Sequence, residues 1–389
     1  MKKDTQLVEA GRDPAAHHGT VNPPVYHAST VLFPTLGALR EAGRHPFEGV
    51  FYGRHGTPTT FAFERAMAEL EGAHGAVAVS SGLAAIALCL CAFVQRGDHL
   101  LVSDNVYGPT RRFCDGTLAG FGVETTYFDP AAGAGIAGLF RENTRLVFME
   151  SPGSLTFEVQ DVPAIAAAAR RRGVLSAIDN TWATPLYFNA IAHGVDLSIH
   201  AATKYIVGHS DAMLGVINAT EGAWEPLRRR VAAFGNCPGA DELYLGLRGL
   251  RTLGVRLARH QETALALADW LSGRPGVQRV LYPALPSDPG HALWKRDFAG
   301  ASGLFGVLLE PVPDAALARM LDHLELFGMG YSWGGFESLI LPTRPEPLRS
   351  AVPWREEGTL LRIHAGLEDP DDLRRDLEAG LERLRRAAE

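Results

Sequence analysis

The strongest constraint on the fold is the alternation of short apolar runs with helical patterns between residues 75 and 218. The runs indicate strands at Ala76–Ser80, His99–Ser103, Gly122–Phe128, Arg145–Glu150, Val174–Asp179, Val195–His200 and Ala212–Ala219. Between them, the stretches from Gly82 to Gln95 and after Asp161 are typical of helices. Several runs are apolar throughout, which indicates a sheet buried on both faces. The sequence therefore predicts an α/β fold.

A second pattern begins near residue 240. A long helical period runs from Ala240 to Ser272, followed by fewer strands, at Ser302–Leu309 and Thr359–His364, and by a final amphipathic stretch over Asp371–Ala388. The first fifty residues show little periodicity. We therefore expect an extended N-terminal arm (1–50), a large domain (51–240) and a smaller α/β C-terminal domain (241–389).

Composition excludes several classes of function. The chain has 389 residues, of which 21% are charged, and a net charge of −7 without a basic block. Nucleic acid binding requires a basic face, and a membrane span requires a longer apolar run than any here. The four cysteines show no zinc spacing and no disulfide framework, so we expect them to be buried free thiols. We expect a cytoplasmic protein without metal, nucleic acid or membrane partners.

Lysine is rare in this chain, which draws attention to Lys204. Of the 37 lysines and arginines, only Lys2, Lys3, Lys204 and Lys295 are lysines. Lys204 follows the run that ends at His200. A lysine can lose its proton and attack a carbonyl, whereas an arginine remains charged. Lys204 is therefore a candidate for amine chemistry, although a codon bias towards arginine explains its isolation equally well.

Asp179 ends the run before that of Lys204. Open α/β sheets place their ligand crevice at the carboxyl ends of the strands, so both side chains are expected to face one crevice. A lysine and a carboxylate are what pyridoxal phosphate requires, the first for its aldehyde and the second for its pyridinium nitrogen. Considered alone, an aspartate at a strand end more commonly caps the next turn.

A candidate anion site follows the first strand. Ser80-Ser81-Gly82-Leu83 forms a polar turn at a helix start, where free amides and the helix dipole favour a phosphate. The alternative is that Ser81 is only an N-cap. The stretch Gly133–Gly138 also matches G-x-G-x-x-G, but Asp129–Ala132 separates it from its strand, so we interpret it as a loop that leads into a short helix.

Two further residues are candidates for cofactor and substrate contacts. Tyr107 follows a strand and could stack on a cofactor ring, unless it is an ordinary half-buried tyrosine. Arg362 lies on the strand face opposite Leu361 and Ile363, where a guanidinium could bind a carboxylate bidentately. The alternative is a surface arginine.

Together these residues resemble the pyridoxal-phosphate-dependent enzymes of cysteine and methionine metabolism, the trans-sulfuration family. The resemblance runs from Asp4 to the final helix. It is carried by Phe51–Arg54, Glu150–Ser154, Ile178–Trp182, Ala201–Asp211, Arg248–Gly254, Trp294–Phe298 and Tyr331–Gly335. It implies the PLP-dependent transferase fold (aspartate aminotransferase-like, fold type I), with a mixed, mainly parallel sheet in the large domain.

The resemblance also implies roles for individual residues. Lys204 would attach the cofactor, Asp179 would contact its ring nitrogen and Tyr107 would stack on its ring. The remaining implied contacts are the phosphate with Gly82, Leu83 and Thr203, the same phosphate with Tyr52 and Arg54 of a neighbouring subunit, and the substrate carboxylate with Arg362, Ser332 and Trp333. A homotetramer built from tight dimers with shared sites is implied.

The implied reaction is α,β-elimination of L-cystathionine to homocysteine, pyruvate and ammonia, in methionine biosynthesis. Pro109 in Tyr107-Gly108-Pro109 favours β-cleavage. In contrast, Gly108 and the stretches Asn22–Tyr26 and Ser81–Ala85 resemble the broader family as much as its β-cleaving members. The alternative is a γ-acting relative, either a γ-synthase or a γ-lyase. A more remote alternative is a non-catalytic binding protein of the same fold.

Overall fold

In the computed structural model, which describes residues 1–388, a seven-stranded sheet forms the larger part of the molecule. Its strands are β1 (Gly75–Val79), β2 (His99–Ser103), β3 (Glu124–Phe128), β4 (Thr144–Glu150), β5 (Leu175–Asp179), β6 (Leu197–His200) and β7 (Gly215–Ala219). Their order is β1-β7-β6-β5-β4-β2-β3. Only β7 runs antiparallel to its neighbours, which confirms the mixed, mainly parallel sheet.

Helices cover both faces of this sheet. In chain order the helices of residues 1–388, including those that lie outside this sheet, are α1 (Lys3–Glu9), α2 (Leu36–Arg44), α3 (Pro58–Glu71), α4 (Gly82–Phe93), α5 (Gly108–Arg112), α6 (Val162–Arg171), α7 (Thr184–Tyr187), α8 (Glu221–Ala233), α9 (Ala240–Ser272), α10 (His291–Asp297), α11 (Asp314–Leu321) and α12 (Pro370–Ala388). Val77 of β1 packs with α4, whereas its neighbour Ala78 packs with α3 and α9. Alternate residues thus bury opposite faces, which explains the continuous apolar runs.

A smaller antiparallel sheet follows in the chain. It consists of β8 (Val277–Leu281), β9 (Leu304–Leu309), β10 (Leu339–Thr343) and β11 (Thr359–His364), in the order β10-β11-β9-β8. Helix α9 packs against both halves: Leu250 lies in the core with α3, and Leu267 lies in the core with β9. The predicted domain boundary at 240 coincides with the start of α9, and the division itself stays a prediction.

The structure differs from expectation mainly where burial is low. The first fifty residues, expected to form an extended arm, contain α1 and α2; α1 forms because Leu7 packs into the core beneath α9. Of the four cysteines, which are all unpaired, Cys237 is exposed. None of the helices described within residues 1–388 is both long and apolar enough to cross a membrane.

Candidate active site

The crevice lies where four parallel strands of the large sheet end. Strands β4 and β5 pair Glu150 with Asp179, and β5 and β6 pair Asp179 with Ile199. Tyr107 follows the end of β2, and Lys204 follows the end of β6. Because parallel strands share one carboxyl edge, the topology gathers these side chains at the same edge of the sheet.

Lys204 is largely buried in this crevice. Its Nζ lies 2.5 Å from Ser332 Oγ and 5.3 Å from the centre of the Trp333 ring. Burial and, to a smaller extent, the charge of Arg362 lower the pKa of the amine to about 8, while Asp179 opposes the shift. A substantial fraction of the amine is therefore neutral in mildly alkaline solution, as a nucleophile requires.

Asp179 is buried at the end of β5. Its Oδ1 accepts hydrogen bonds from the backbone nitrogen of Thr181 at 3.0 Å and from Thr181 Oγ1 at 2.5 Å. Burial raises the pKa of this carboxyl, while Thr181, His200 and Lys204 act to lower it. Within residues 1–388, the hydrogen bonds to the Asp179 carboxylate all go to Oδ1, and none goes to Oδ2. The second oxygen remains available to a cationic partner.

Tyr107 lies at the mouth of the crevice, with 44% of its surface exposed. Its backbone nitrogen donates to Glu150 Oε2 at 2.6 Å. Burial raises the pKa of the phenol, and the charges of Glu150 and Asp179 raise it further. The ring is thus close to Asp179 yet open on one side, an arrangement that suits stacking on a flat ligand.

The start of α4 lies against the loop that carries Lys204. Ser81 caps the helix through a 3.1 Å bond from the nitrogen of Ala84, as the alternative interpretation requires. A Cβ on Gly82 would lie 2.4 Å from Ala201 Cβ, so only glycine permits this approach. The first amides of a helix lack partners within the helix.

Two other candidate phosphate contacts lie near this helix start. Leu83 is exposed. Thr203 Oγ1 accepts a hydrogen bond from the backbone nitrogen of Leu214 at 2.9 Å.

Arg362 joins the site from the smaller sheet. It alternates along β11 with the buried residues Leu361 and Ile363, as the sequence predicts. Its guanidinium donates to the carbonyl of Ser332 at 2.9 Å, the residue whose hydroxyl contacts Lys204. Arg362, Ser332 and Trp333 therefore lie together with Lys204, and the crevice is bounded by both sheets.

Tyr52 and Arg54 lie elsewhere in the chain. Arg54 donates to the carbonyl of Ala232 at the end of α8, at 3.0 Å. Tyr52 packs edge-on against the ring of His55, with centroids 6.2 Å apart. No contact within residues 1–388 joins either side chain to Lys204. Within a single chain they are not part of the crevice.

Two pairs near the site were not assigned any role from the sequence. Glu150 is half-buried at a strand end, where desolvation and the nearby Asp179 raise its pKa well above the usual value. His200 Nε2 lies 2.9 Å from Glu71 Oε2 with both side chains buried. Strand-end position, the signal that singled out Asp179, also applies to Glu150 and His200. Glu71 is the last residue of helix α3 rather than of a strand, so its position in the sequence does not indicate a role at the site.

A further group, the intersheet clamp, consists of Asp104, Arg111, Arg349, Ser350 and Val352. The buried Asp104 follows β2 and accepts from the backbone nitrogens of Ser350 at 2.9 Å and Val352 at 2.8 Å. It also contacts Arg111 at 2.5 Å and Arg349 at 3.2 Å. Arg349 precedes Ser350 in the connection between β10 and β11. The clamp thus fixes the smaller sheet to the large one beside Tyr107.

Comparisons with known proteins cover nearly the whole chain. The family model for Cys/Met metabolism PLP-dependent enzymes matches residues 4–382. A putative cystathionine β-lyase of Rhizobium johnstonii is 51% identical over 97% of this chain and 95% of its own length. The cystathionine β-lyase of Escherichia coli is 48% identical over 98% of this chain and 99% of its own.

A solved structure is equally extensive in its match. The cystathionine γ-synthase of Xanthomonas oryzae pv. oryzae, in complex with aminoacrylate and cysteine, has a TM-score of 0.91 at 33% identity and covers 99% of both chains. Similarity of sequence and of fold therefore includes every element that contributes to the crevice.

Proposed function

The chain belongs to the PLP-dependent enzymes of Cys/Met metabolism. On that premise we propose that it cleaves the β C–S bond of L-cystathionine and, with uptake of one water molecule, releases homocysteine, pyruvate and ammonia. The observation that carries the proposal is Lys204, an amine with a pKa lowered to about 8, in a crevice shared with Asp179, Tyr107 and Arg362. The choice of β-cleavage is supported by relatives at 48% and 51% identity that are named cystathionine β-lyases.

The residues of the crevice fit pyridoxal phosphate. Lys204 would attach its aldehyde carbon, and the unused oxygen of Asp179 would accept from its protonated ring nitrogen. The start of α4, with Gly82 and Leu83, would hold the phosphate, because free amides and the helix dipole both favour an anion. When bound, the cofactor supplies an electron-withdrawing ring that stabilises negative charge at the substrate α-carbon.

The protein's own groups supply the proton transfers. The neutral amine of Lys204, once free of the cofactor, is the base for the α-proton, since a pKa near the working pH suits general base catalysis. Protonated by that step, Lys204 is then the acid for the departing sulfur. Ser332 Oγ, 2.5 Å from Nζ, orients the amine between these two roles.

The substrate is held by its α-carboxylate. The guanidinium of Arg362 is close enough to lower the pKa of Lys204, and a planar guanidinium matches a carboxylate bidentately. Ser332 and Trp333 complete this pocket. Anchoring the carboxylate fixes the α-carbon near Lys204, which raises the effective concentration of the base.

Identification of the keto acid product tests the proposal. Purified protein loaded with pyridoxal phosphate and given L-cystathionine should release pyruvate. Release of 2-oxobutyrate would instead assign a γ-acting lyase. Lys204→Ala should lower the rate by at least about a thousandfold, whereas Lys295→Ala, which removes an exposed lysine, should leave it unchanged.

We also propose a homotetramer of tight dimers with shared sites. Leu32 and Leu36 are 89% and 61% exposed and border, with Phe51 and Tyr52, a groove of about 490 Å³. An apolar surface of this kind is typical of a contact between subunits. In that assembly Tyr52 and Arg54 would reach the phosphate of the adjacent subunit.

A cytoplasmic location completes the proposal. All four cysteines are unpaired, which fits a reducing compartment. Fractionation of cells, with detection of the protein in the cytosolic fraction, tests this location.

A further inference from the structure

The turn at residues 332–335, here called the carboxylate turn, contacts both Lys204 and Arg362. Ser332 uses its hydroxyl for Lys204 and its carbonyl for Arg362. Ser332 and Gly334 both have positive φ, at 78° and 88°. A Cβ on Gly334 would lie 2.9 Å from the backbone of Lys204. The turn is therefore a strained backbone segment pressed against the loop of the reactive lysine, and something must hold it there.

His364 contacts the backbone of this turn. It lies two residues after Arg362 on β11, on the same face of the strand. The backbone nitrogen of Gly334 donates to its Nε2 at 3.1 Å, and its Nδ1 lies 3.1 Å from the carbonyl of Glu337. A backbone nitrogen can only donate and a carbonyl can only accept. The two contacts therefore require a neutral imidazole with its proton on Nδ1.

The surroundings of His364 keep it neutral. Only 1% of the residue is exposed. Burial lowers its pKa well below the usual value, and His260, Arg362 and Lys204 lower it further, while the Glu337 carbonyl opposes the shift. The acceptor at Nε2 is thus present across the range in which the Lys204 amine loses its proton.

We infer that His364 is a positioning residue for recognition of the substrate carboxylate: its Nε2 fixes Gly334, so that Ser332 meets Arg362 and Lys204 in one geometry. The inference rests on the proposed carboxylate pocket. His364 itself touches neither reacting group, and its effect is transmitted through the backbone of the carboxylate turn. Loss of the acceptor leaves a buried amide without a partner, which is costly.

Two amide substitutions of His364 distinguish the effect of the hydrogen-bond acceptor at Nε2 from the effect of side-chain size. His364→Gln places an amide oxygen near the position of Nε2, whereas His364→Asn reaches only the position of Nδ1 and loses the bond from Gly334. The probe is glycine, which has the amino and carboxylate groups of a substrate but no leaving group. With loaded enzyme, we expect His364→Asn to bind glycine roughly tenfold more weakly and His364→Gln to remain within about threefold of the unmodified protein.

Hydrogen exchange supplies a readout that does not depend on turnover. The Gly334 amide should be protected in the unmodified protein and in His364→Gln, and should exchange at least about tenfold faster in His364→Asn. His260→Asn is the matched control. His260 belongs to the same buried cluster, with ring centroids 5.1 Å apart, but donates to Ala365 rather than to the turn. It should change neither measurement.

Distinct outcomes overturn the inference. An unprotected Gly334 amide in the unmodified protein overturns it, even if His364→Asn does not fold. So does unchanged glycine affinity in His364→Asn, or a His364→Gln variant as weak as His364→Asn. Arg362→Lys tests the pocket separately: full glycine affinity in that variant would count against the proposed function, while Gly334 exchange would still report on His364.

Discussion

Burial acts on Lys204 and Asp179 in opposite directions. A group removed from water favours its neutral form, so the pKa of the amine falls and that of the carboxyl rises. The two residues oppose these shifts in each other, because each lowers the electrostatic cost of the other's charge. Arg362 does the reverse for Lys204. The pKa of the amine is thus set jointly by its burial and by the guanidinium that we propose binds the substrate.

This balance predicts a pH dependence for Lys204. In cofactor-free protein, acetylation of the amine should increase with pH through an apparent pKa of about 8, since only the neutral form reacts. Arg362→Met removes a positive charge and should therefore raise that pKa. Mass spectrometry of the Lys204 peptide over a pH series measures both values, with the exposed Lys295 as an internal reference. An unchanged or lower pKa in Arg362→Met would contradict the electrostatic account.

At the scale of elements, sequence patterns predicted what is deeply buried. The continuous apolar runs identified all seven strands of the large sheet within three residues, and the period of α9 gave its bounds as observed. Strands β8 and β10 were missed because both are partly exposed, and Pro342 interrupts β10. Their order in the smaller sheet depends on pairing with β9 and β11, which no local pattern encodes.

Local sequence patterns likewise predicted some residues of the site and missed others. Strand-end position singled out Asp179, the rarity of lysine singled out Lys204, and alternation on β11 singled out Arg362. His364 lies on the same strand face as Arg362, but a histidine in an apolar strand is more often interpreted as a core residue. Its function depends on Gly334, thirty residues away in sequence. A contact across that distance is a product of tertiary folding alone.

The start of α4 offers a test at the same scale. Gly82→Ala places a methyl group 2.4 Å from Ala201 Cβ and should displace either the helix start or the lysine loop. We expect pyridoxal phosphate to bind at least about tenfold more weakly, since overpacking costs roughly 1–3 kcal/mol. Titration of cofactor-free protein measures this affinity. Gly116→Ala is the control because no atom lies within 4 Å of its added methyl, and equal affinity of both variants would contradict the packing argument.

At the scale of the whole molecule, helix α9 and the intersheet clamp are two of the connections between the sheets. Helix α9 contributes to the cores on both sides, and the intersheet clamp fastens the connection between β10 and β11 to the end of β2. Burial alone would raise the pKa of Asp104, but the amides of Val352, Ser350 and Ala351 together with Arg111 bring it below its usual value. The carboxylate is thus the charged centre on which this second connection depends.

Removal of that centre should destabilise the protein. Asp104→Ala leaves the buried guanidinium of Arg111 without its carboxylate partner and leaves Arg349 with Glu158 alone. We expect a loss of about 3 kcal/mol in the free energy of unfolding, because a buried charge then lacks its partner. Urea denaturation followed by circular dichroism measures it. Glu225→Ala breaks an exposed pair on α8 and should cost less than about 1 kcal/mol. Similar losses in both variants would rule out a special role for the clamp.

Shared sites predict complementation between inactive subunits. Lys204→Ala removes the amine of one site, and Arg54→Ala removes the proposed phosphate contact that one subunit gives to another. Mixed after reversible dissociation, the two variants should form some sites with both residues intact and recover part of the activity, up to about a quarter of sites under random pairing. Each variant carried alone through the same dissociation is the control. Complete absence of recovery would count against shared sites.

The reversed direction of β7 has a consequence for how this protein can vary. Because β6 and β7 are antiparallel neighbours, the segment 201–214 leaves and re-enters the sheet at a single edge, and Thr203 is bonded to Leu214 across its base. Because both ends of this segment are fixed, an inserted residue would displace Lys204. Homologues and engineered libraries should therefore tolerate changes of length in the exposed connections on the opposite edge, and almost none here.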